Sequence, residues 1–134
     1  MLPDSLNPSA TILIVDDEEF LLEYVRVVLQ RAGYSVLSAQ NGGEAWDLIV
    51  DRHDIRLLLT DIVMPGSFDG FELAQRVRKH QPELPVLLMT GAALHDYPST
   101  NAPPWQGMML RKPFYPDQLL TIVRENLEAA NRFR

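Results

Sequence analysis

Four short apolar runs in this chain each end in a polar residue of real chemical capability, and that arrangement constrains the fold more than any other feature. Thr11 to Val15 runs unbroken into Asp16 and Asp17, and Leu57 to Leu59 with Thr60 ends in Asp61. Val86 to Met89 ends in Thr90, and Met108 to Leu110 leads to Arg111 and Lys112. Runs this short, apolar without alternation, suit strands buried on both faces, as in a parallel sheet between helix layers. Ser35 to Ala39 is a weaker fifth candidate.

The segments between these runs have helical period. Leu21, Val25, Val28 and Ala32 recur at steps of four, three and four, with Gly33 as the stop. Asn41 followed by Glu44 resembles a capping box and opens a helix expected to bury Ala45, Leu48 and Ile49. Asp69 and Glu72 repeat the arrangement, with Phe68 placed to staple onto Leu73 ahead of Val77. Pro116 fits a first helical position, followed by Leu119, Leu120, Val123 and Leu127. Strand and helix in alternation predict an α/β fold, a doubly wound parallel sheet with helices on both faces. One stretch breaks the rhythm: Pro98, Pro103 and Pro104 fall where a fourth helix belongs. A proline inside a helix costs roughly 3 kcal/mol or more. That helix is therefore expected to be short, displaced or missing, with much of 92–106 irregular.

Composition narrows the function. At 134 residues, with 46% hydrophobic and 22% charged residues, the chain suits one ordinary globular domain. The expected division is a mobile arm over residues 1–10 and a single domain over 11–134. A net charge of -6 with scattered arginines argues against direct nucleic-acid binding, which needs clustered cations. The absence of cysteine excludes disulfides, thiolate metal sites and cysteine nucleophiles. No apolar run is long enough for a signal peptide or a membrane span, and a cytoplasmic protein is expected.

In a parallel sheet all the strand ends named above lie on one edge, where open α/β sheets bind their ligands. Asp16, Asp17, Asp61, Thr90 and Lys112 would then share a crevice. Crowded carboxylates repel unless a cation neutralises them, and a hard divalent ion such as Mg²⁺ suits all-oxygen ligands. A carboxylate can also act as a nucleophile toward phosphorus. Phosphoryl transfer chiefly needs positioning and charge on the equatorial oxygens, which a metal, an ammonium and a hydroxyl can provide. Taken singly, an Asp-Asp pair or a Lys-Pro step is more often structural than functional; their ordered recurrence after apolar runs is what carries weight.

The segments Ile12 to Glu18, Leu59 to Pro65, Leu88 to Gly91 and Arg111 to Phe114 closely resemble response-regulator receiver domains of bacterial two-component systems, over roughly Thr11 to Asn131. The resemblance implies a five-stranded flavodoxin-like sheet of order 2-1-3-4-5. It implies that Asp61 takes a phosphoryl group from a histidine kinase or phosphotransfer protein. Asp17, Asp61 and the Val63 backbone carbonyl would hold Mg²⁺, with Asp16 acting directly or through water. Thr90 and Lys112 would bind phosphoryl oxygens, and Lys112-Pro113 would be a cis peptide. On this reading the domain is a phosphoacceptor that assists its own phosphorylation and dephosphorylation, and not an enzyme.

Two departures from the family pattern stand out. Met109 occupies the place where the family usually has Tyr or Phe, so the output relay is expected to use a rearranged loop between Thr90 and Met108, or another face. The Met64 to Gly70 stretch has one more residue than in the simplest members and looks more like receivers that work with hybrid histidine kinases. Val63 and Ala92 lack polar groups to orient an attacking water, so slow autodephosphorylation is expected. Two other functions compete with this one. A haloacid-dehalogenase-type phosphatase requires Asp-x-Asp, whereas Ile62 and Val63 follow Asp61. A receiver-like interaction module without phosphotransfer would lack an acceptor, lysine or acidic pair, and all are present. His53, His80 and His95 read as surface residues, Trp46 as part of a helix face, and Met64, Met89, Met108 and Met109 as filling. Trp105 stands evenly between partner contact and local packing.

Overall fold

The computed structural model describes residues 10–66, 68–91 and 109–132. Among them are strands β1 (Thr11–Val15), β2 (Ser35–Ala39), β3 (Ile55–Asp61), β4 (Val86–Thr90) and β5 (Met109–Arg111). The helices are α1 (Glu19–Arg31), α2 (Gly42–Asp51), α3 (Gly70–His80) and α4 (Pro116–Arg132). The strands form one parallel sheet of order β2-β1-β3-β4-β5, as the family resemblance implies. The stretch 92–106 on which the irregular fourth helix is expected, with His95 and Trp105, and also Met108 and residues 1–9 of the expected arm, lie outside the described residues.

The unbroken apolar runs have a direct physical basis. Successive strand residues point to opposite faces, and here both faces are covered. Leu13, Val15, Leu58 and Leu88 pack with α2 and α3, while Ile12, Ile14, Leu57, Leu59, Leu87 and Met89 pack with α1 and α4. β3 is longer than its apolar run, because exposed Arg56 interrupts the hydrophobic pattern without interrupting the strand.

Helix ends follow the signals in the sequence, with two adjustments. α1 closes in a Schellman arrangement: the Gly33 amide bonds the Gln30 carbonyl at 3.0 Å and the Tyr34 amide bonds the Leu29 carbonyl at 3.1 Å. Gly33 has φ +101°, a conformation that suits glycine. The fully buried stripe of α1 is Leu22, Val25 and Leu29, one step round from the predicted one. Leu21 and Val28 are half-buried beside it, and Ala32 is exposed beyond the last turn. At α2, Asn41 caps the Glu44 amide at 2.9 Å, but the Glu44 carboxylate accepts from the Gln40 amide, one residue before the cap. Leu48 there is half-buried, leaving Ala45 and Ile49 to the core. Asp69 caps the Glu72 amide of α3 at 3.0 Å.

Candidate functional site

The carboxyl ends of β1, β3, β4 and β5 place the predicted residues along one edge. Asp16 follows β1 and is fully buried; Asp61 is the last residue of β3 and is 8% exposed. Thr90 closes β4, and Lys112 follows β5 immediately. The parallel registers do this: Val15 lies opposite Thr60, Asp61 opposite Met89, and Thr90 opposite Arg111.

The side chains of Asp16, Asp17 and Asp61 converge, each offering a carboxylate oxygen, with these atoms within 4.8 Å of one another. The Lys112 ammonium enters the cluster from β5. Its Nζ lies 2.8 Å from Asp16 Oδ2, 3.3 Å from Asp61 Oδ1 and 3.6 Å from Glu18 Oε1. Asp16 is committed on both oxygens, since Oδ1 also accepts the Glu18 amide at 2.9 Å. That bond fixes the turn into α1, where Glu18 makes no side-chain cap of its own. Asp61 Oδ1 accepts its neighbour's amide, Ile62 N, at 3.0 Å.

The electrostatics are unbalanced. Burial first, and then the charge of Asp16, push the Asp61 carboxyl up to about 6, although Lys112 and the Ile62 amide pull the other way. Burial works against the Lys112 ammonium, yet its hydrogen bond to Asp16 and the charges of Asp61 and Asp16 raise its pKa overall. A site with more buried negative charge than its lysine neutralises is suited to a hard cation. The all-oxygen donor set fits Mg²⁺ as well.

The site brings Asp16, Asp17, Asp61 and Lys112 into direct proximity. Thr90 joins them through the backbone, its carbonyl accepting the Lys112 amide at 2.8 Å. The Val63 side chain is 64% exposed and turned to solvent. The Lys112-Pro113 peptide is cis, as expected. Met109 is half-buried against the α2–α3 core cluster.

Three contributors carry no clear signal in the sequence. Glu18 lends a further carboxylate to Lys112 from the exposed rim. Gly70 begins α3 with its amide on the Ile62 carbonyl at 2.8 Å. A Cβ there would collide with the Asp61 carbonyl oxygen and come 2.8 Å from the Ile62 Cα. Only glycine lets α3 start this close to the end of β3. Its sequence signal is slight, because an Asp-Gly pair before a helix reads first as a cap. Tyr24 on α1 steadies the other side: its hydroxyl donates to the Phe114 carbonyl at 3.0 Å, two residues beyond Lys112.

An open parallel sheet with an acidic cluster and a lysine at its carboxyl edge defines a class, and comparison with known proteins agrees. The family profile of the response regulator receiver domain matches residues 12–124. The chain is 36% identical over 120 residues to the response regulator receiver protein CpdR of Brucella abortus (strain 2308), covering 89% of this chain and 98% of CpdR. It is 36% identical over 112 residues to the phosphate regulon transcriptional regulatory protein PhoB of Pseudomonas aeruginosa. That match covers 82% of this chain and 48% of PhoB, so the chain spans about half of that longer relative. The crystal structure of a response regulator receiver protein from Sinorhizobium medicae WSM419 superposes with a TM-score of 0.81 at 31% identity, covering 91% of this chain and 97% of that one. This chain belongs to the response regulator receiver domains, the signalling modules of two-component systems. Among the described residues, no helix is long and apolar enough to cross a membrane.

Proposed function

We propose that this receiver domain is a phosphorylation-dependent switch that takes a phosphoryl group onto Asp61 from a histidine kinase or phosphotransfer protein. The observation that carries the proposal is the meeting of Asp16, Asp17 and Asp61 with the Lys112 ammonium at a single strand edge. Asp17, Asp61 and the Val63 carbonyl would hold Mg²⁺, with Asp16 contributing directly or through water. Bound there, Mg²⁺ supplies positive charge to the phosphoryl oxygens and favours the ionised form of Asp61.

The chain's own groups divide the remaining work. An Asp61 carboxylate oxygen forms the new bond to phosphorus as the donor's P–N bond breaks, and the electron pair leaves with the imidazole nitrogen. Lys112, already poised between Asp16 and Asp61, neutralises one phosphoryl oxygen, and the Thr90 hydroxyl donates to another. Asp16 holds Lys112 in place through the 2.8 Å bond. The net charge of -6 supports a protein partner over nucleic acid for this chain. A cytoplasmic location belongs to the same proposal.

Incubation with acetyl phosphate and Mg²⁺, followed by intact mass measurement, tests the reading. Wild type is expected to gain one phosphoryl group and Asp61→Asn none. A wild type that stays unmodified, or a variant that is still phosphorylated, overturns the assignment.

A further inference from the structure

The loop that carries Val63 from β3 to α3 is gripped from the side by α2. Its two ends are pinned to each other, with Ile62 buried and the Gly70 amide on the Ile62 carbonyl at 2.8 Å. Between those pins, Phe68 is 8% exposed and supplies a third. Its ring lies directly on the first residue of α2: a Cβ at Gly42 would meet Phe68 Cε2 at 2.8 Å, Cδ2 at 2.9 Å and the carbonyl oxygen at 2.9 Å. On the ring, the Arg76 guanidinium of α3 sits 4.3 Å from the centroid, and it also lies 5.9 Å from the Trp46 ring of α2. Glu72 steadies Arg76 from one turn away at 3.7 Å. The same loop approaches α2 again at Gly66, with φ +107°, where a Cβ would lie 3.8 Å from Asn41 Cβ.

We propose that Phe68, seated on Gly42 beneath Arg76, is a positioning residue that holds the Val63 segment ready for Mg²⁺. This rests on the proposed function, because it takes the Val63 carbonyl as a metal ligand. Phe68 has no group that binds a metal. It acts by removing the freedom of a segment whose neighbours Val63, Pro65 and Gly66 are exposed. Residues that orient a ligand without touching the metal commonly govern affinity about tenfold or more.

The test uses the full chain and two readouts. Hydrogen exchange at the Val63, Met64 and Gly66 amides is followed without metal, and Mg²⁺ affinity is measured by titration calorimetry. Phe68→Ala is expected to speed exchange in that segment and to weaken Mg²⁺ binding about tenfold. Gly42→Ala, which displaces the ring from the opposite side, is expected to act in the same direction. Leu84→Ala, a core deletion near the opposite edge of the sheet, is the control and is expected to leave Mg²⁺ affinity unchanged. Wild-type Mg²⁺ affinity in Phe68→Ala, or an equal loss in Leu84→Ala, overturns the inference. Absence of Mg²⁺ binding and of phosphorylation in the wild type itself would remove the proposed function instead.

Discussion

The two edges of the sheet each carry an aspartate close to a cation, and the two aspartates behave in opposite ways. At the amino end of β3, Asp54 receives two bonds from the Arg52 guanidinium, at 2.9 Å and 2.7 Å. That hydrogen bonding holds its carboxyl below the usual carboxylate range. At the carboxyl end of the same strand, Asp61 has Lys112 at 3.3 Å, and its carboxyl is nevertheless raised to about 6. Local pairing alone therefore does not set the charge of a carboxylate. Asp54 keeps its hydration, whereas Asp61 is buried beside a second buried carboxylate, and its cation is shared with Asp16. An exposed pair of good geometry adds little to stability. A buried cluster stores electrostatic free energy that a bound cation or a change of protonation can release.

The sharpest way to break this comparison is chemical. With acetyl phosphate and Mg²⁺, Asp61→Asn is expected to lose the phosphoryl adduct entirely and Asp54→Asn to keep it, read by intact mass. Equal behaviour of the two variants would mean that the edges are not specialised. The next effect is on stability. Lys112→Met leaves Asp16 and Asp61 facing each other without their cation, and removing one partner of a buried pair costs about 3 kcal/mol. Urea unfolding of metal-free protein near neutral pH is expected to show that loss, and a smaller one at lower pH, where Asp61 takes a proton.

A somewhat smaller effect concerns pH. The folded Asp61 carboxyl holds its proton more tightly than the unfolded chain, where the ordinary value is 3.8. As pH rises from about 4 to about 6 the unfolded state therefore releases this proton first, and the folded state loses relative stability. Wild type should fall relative to Asp61→Asn through that window by at most ~3 kcal/mol. Added Mg²⁺ should reverse much of this for wild type, since a ligand bound only by the folded state stabilises it. A flat difference between the two proteins across the window would show that Asp61 is not strained in the folded state. Smallest of all, Arg52→Ala is expected to leave the unfolding midpoint within error, because that pair is exposed on both sides.

Much of this was readable from residues alone, for identifiable reasons. β1 has the predicted bounds because a strand buried on both faces leaves an unbroken apolar trace, which stops where Asp16 begins; β2, largely half-exposed and carrying Ser35 and Ser38, left a fainter one. The caps at Asn41 and Asp69 are local, depending on an oxygen and an amide three residues apart. The face of α1 was less legible. Leu21 and Leu22, and Val28 and Leu29, are adjacent apolar pairs, so periodicity admits two stripes one step apart. Packing against β1 and α4 chose Leu22, Val25 and Leu29.

By itself, then, the order of residues determined the parallel architecture, the caps and the set of groups that strand ends deliver to one edge, because each depends on local geometry or on burial that leaves an apolar trace. Only the tertiary structure decided how those groups share charge. It set the division of Lys112 between Asp16 and Asp61, the raised carboxyl of Asp61, the close approach at Gly70 and the seat of Phe68 on Gly42. These depend on distances between segments remote in the chain and on how much water reaches them, neither of which is carried by the spacing of residues along it.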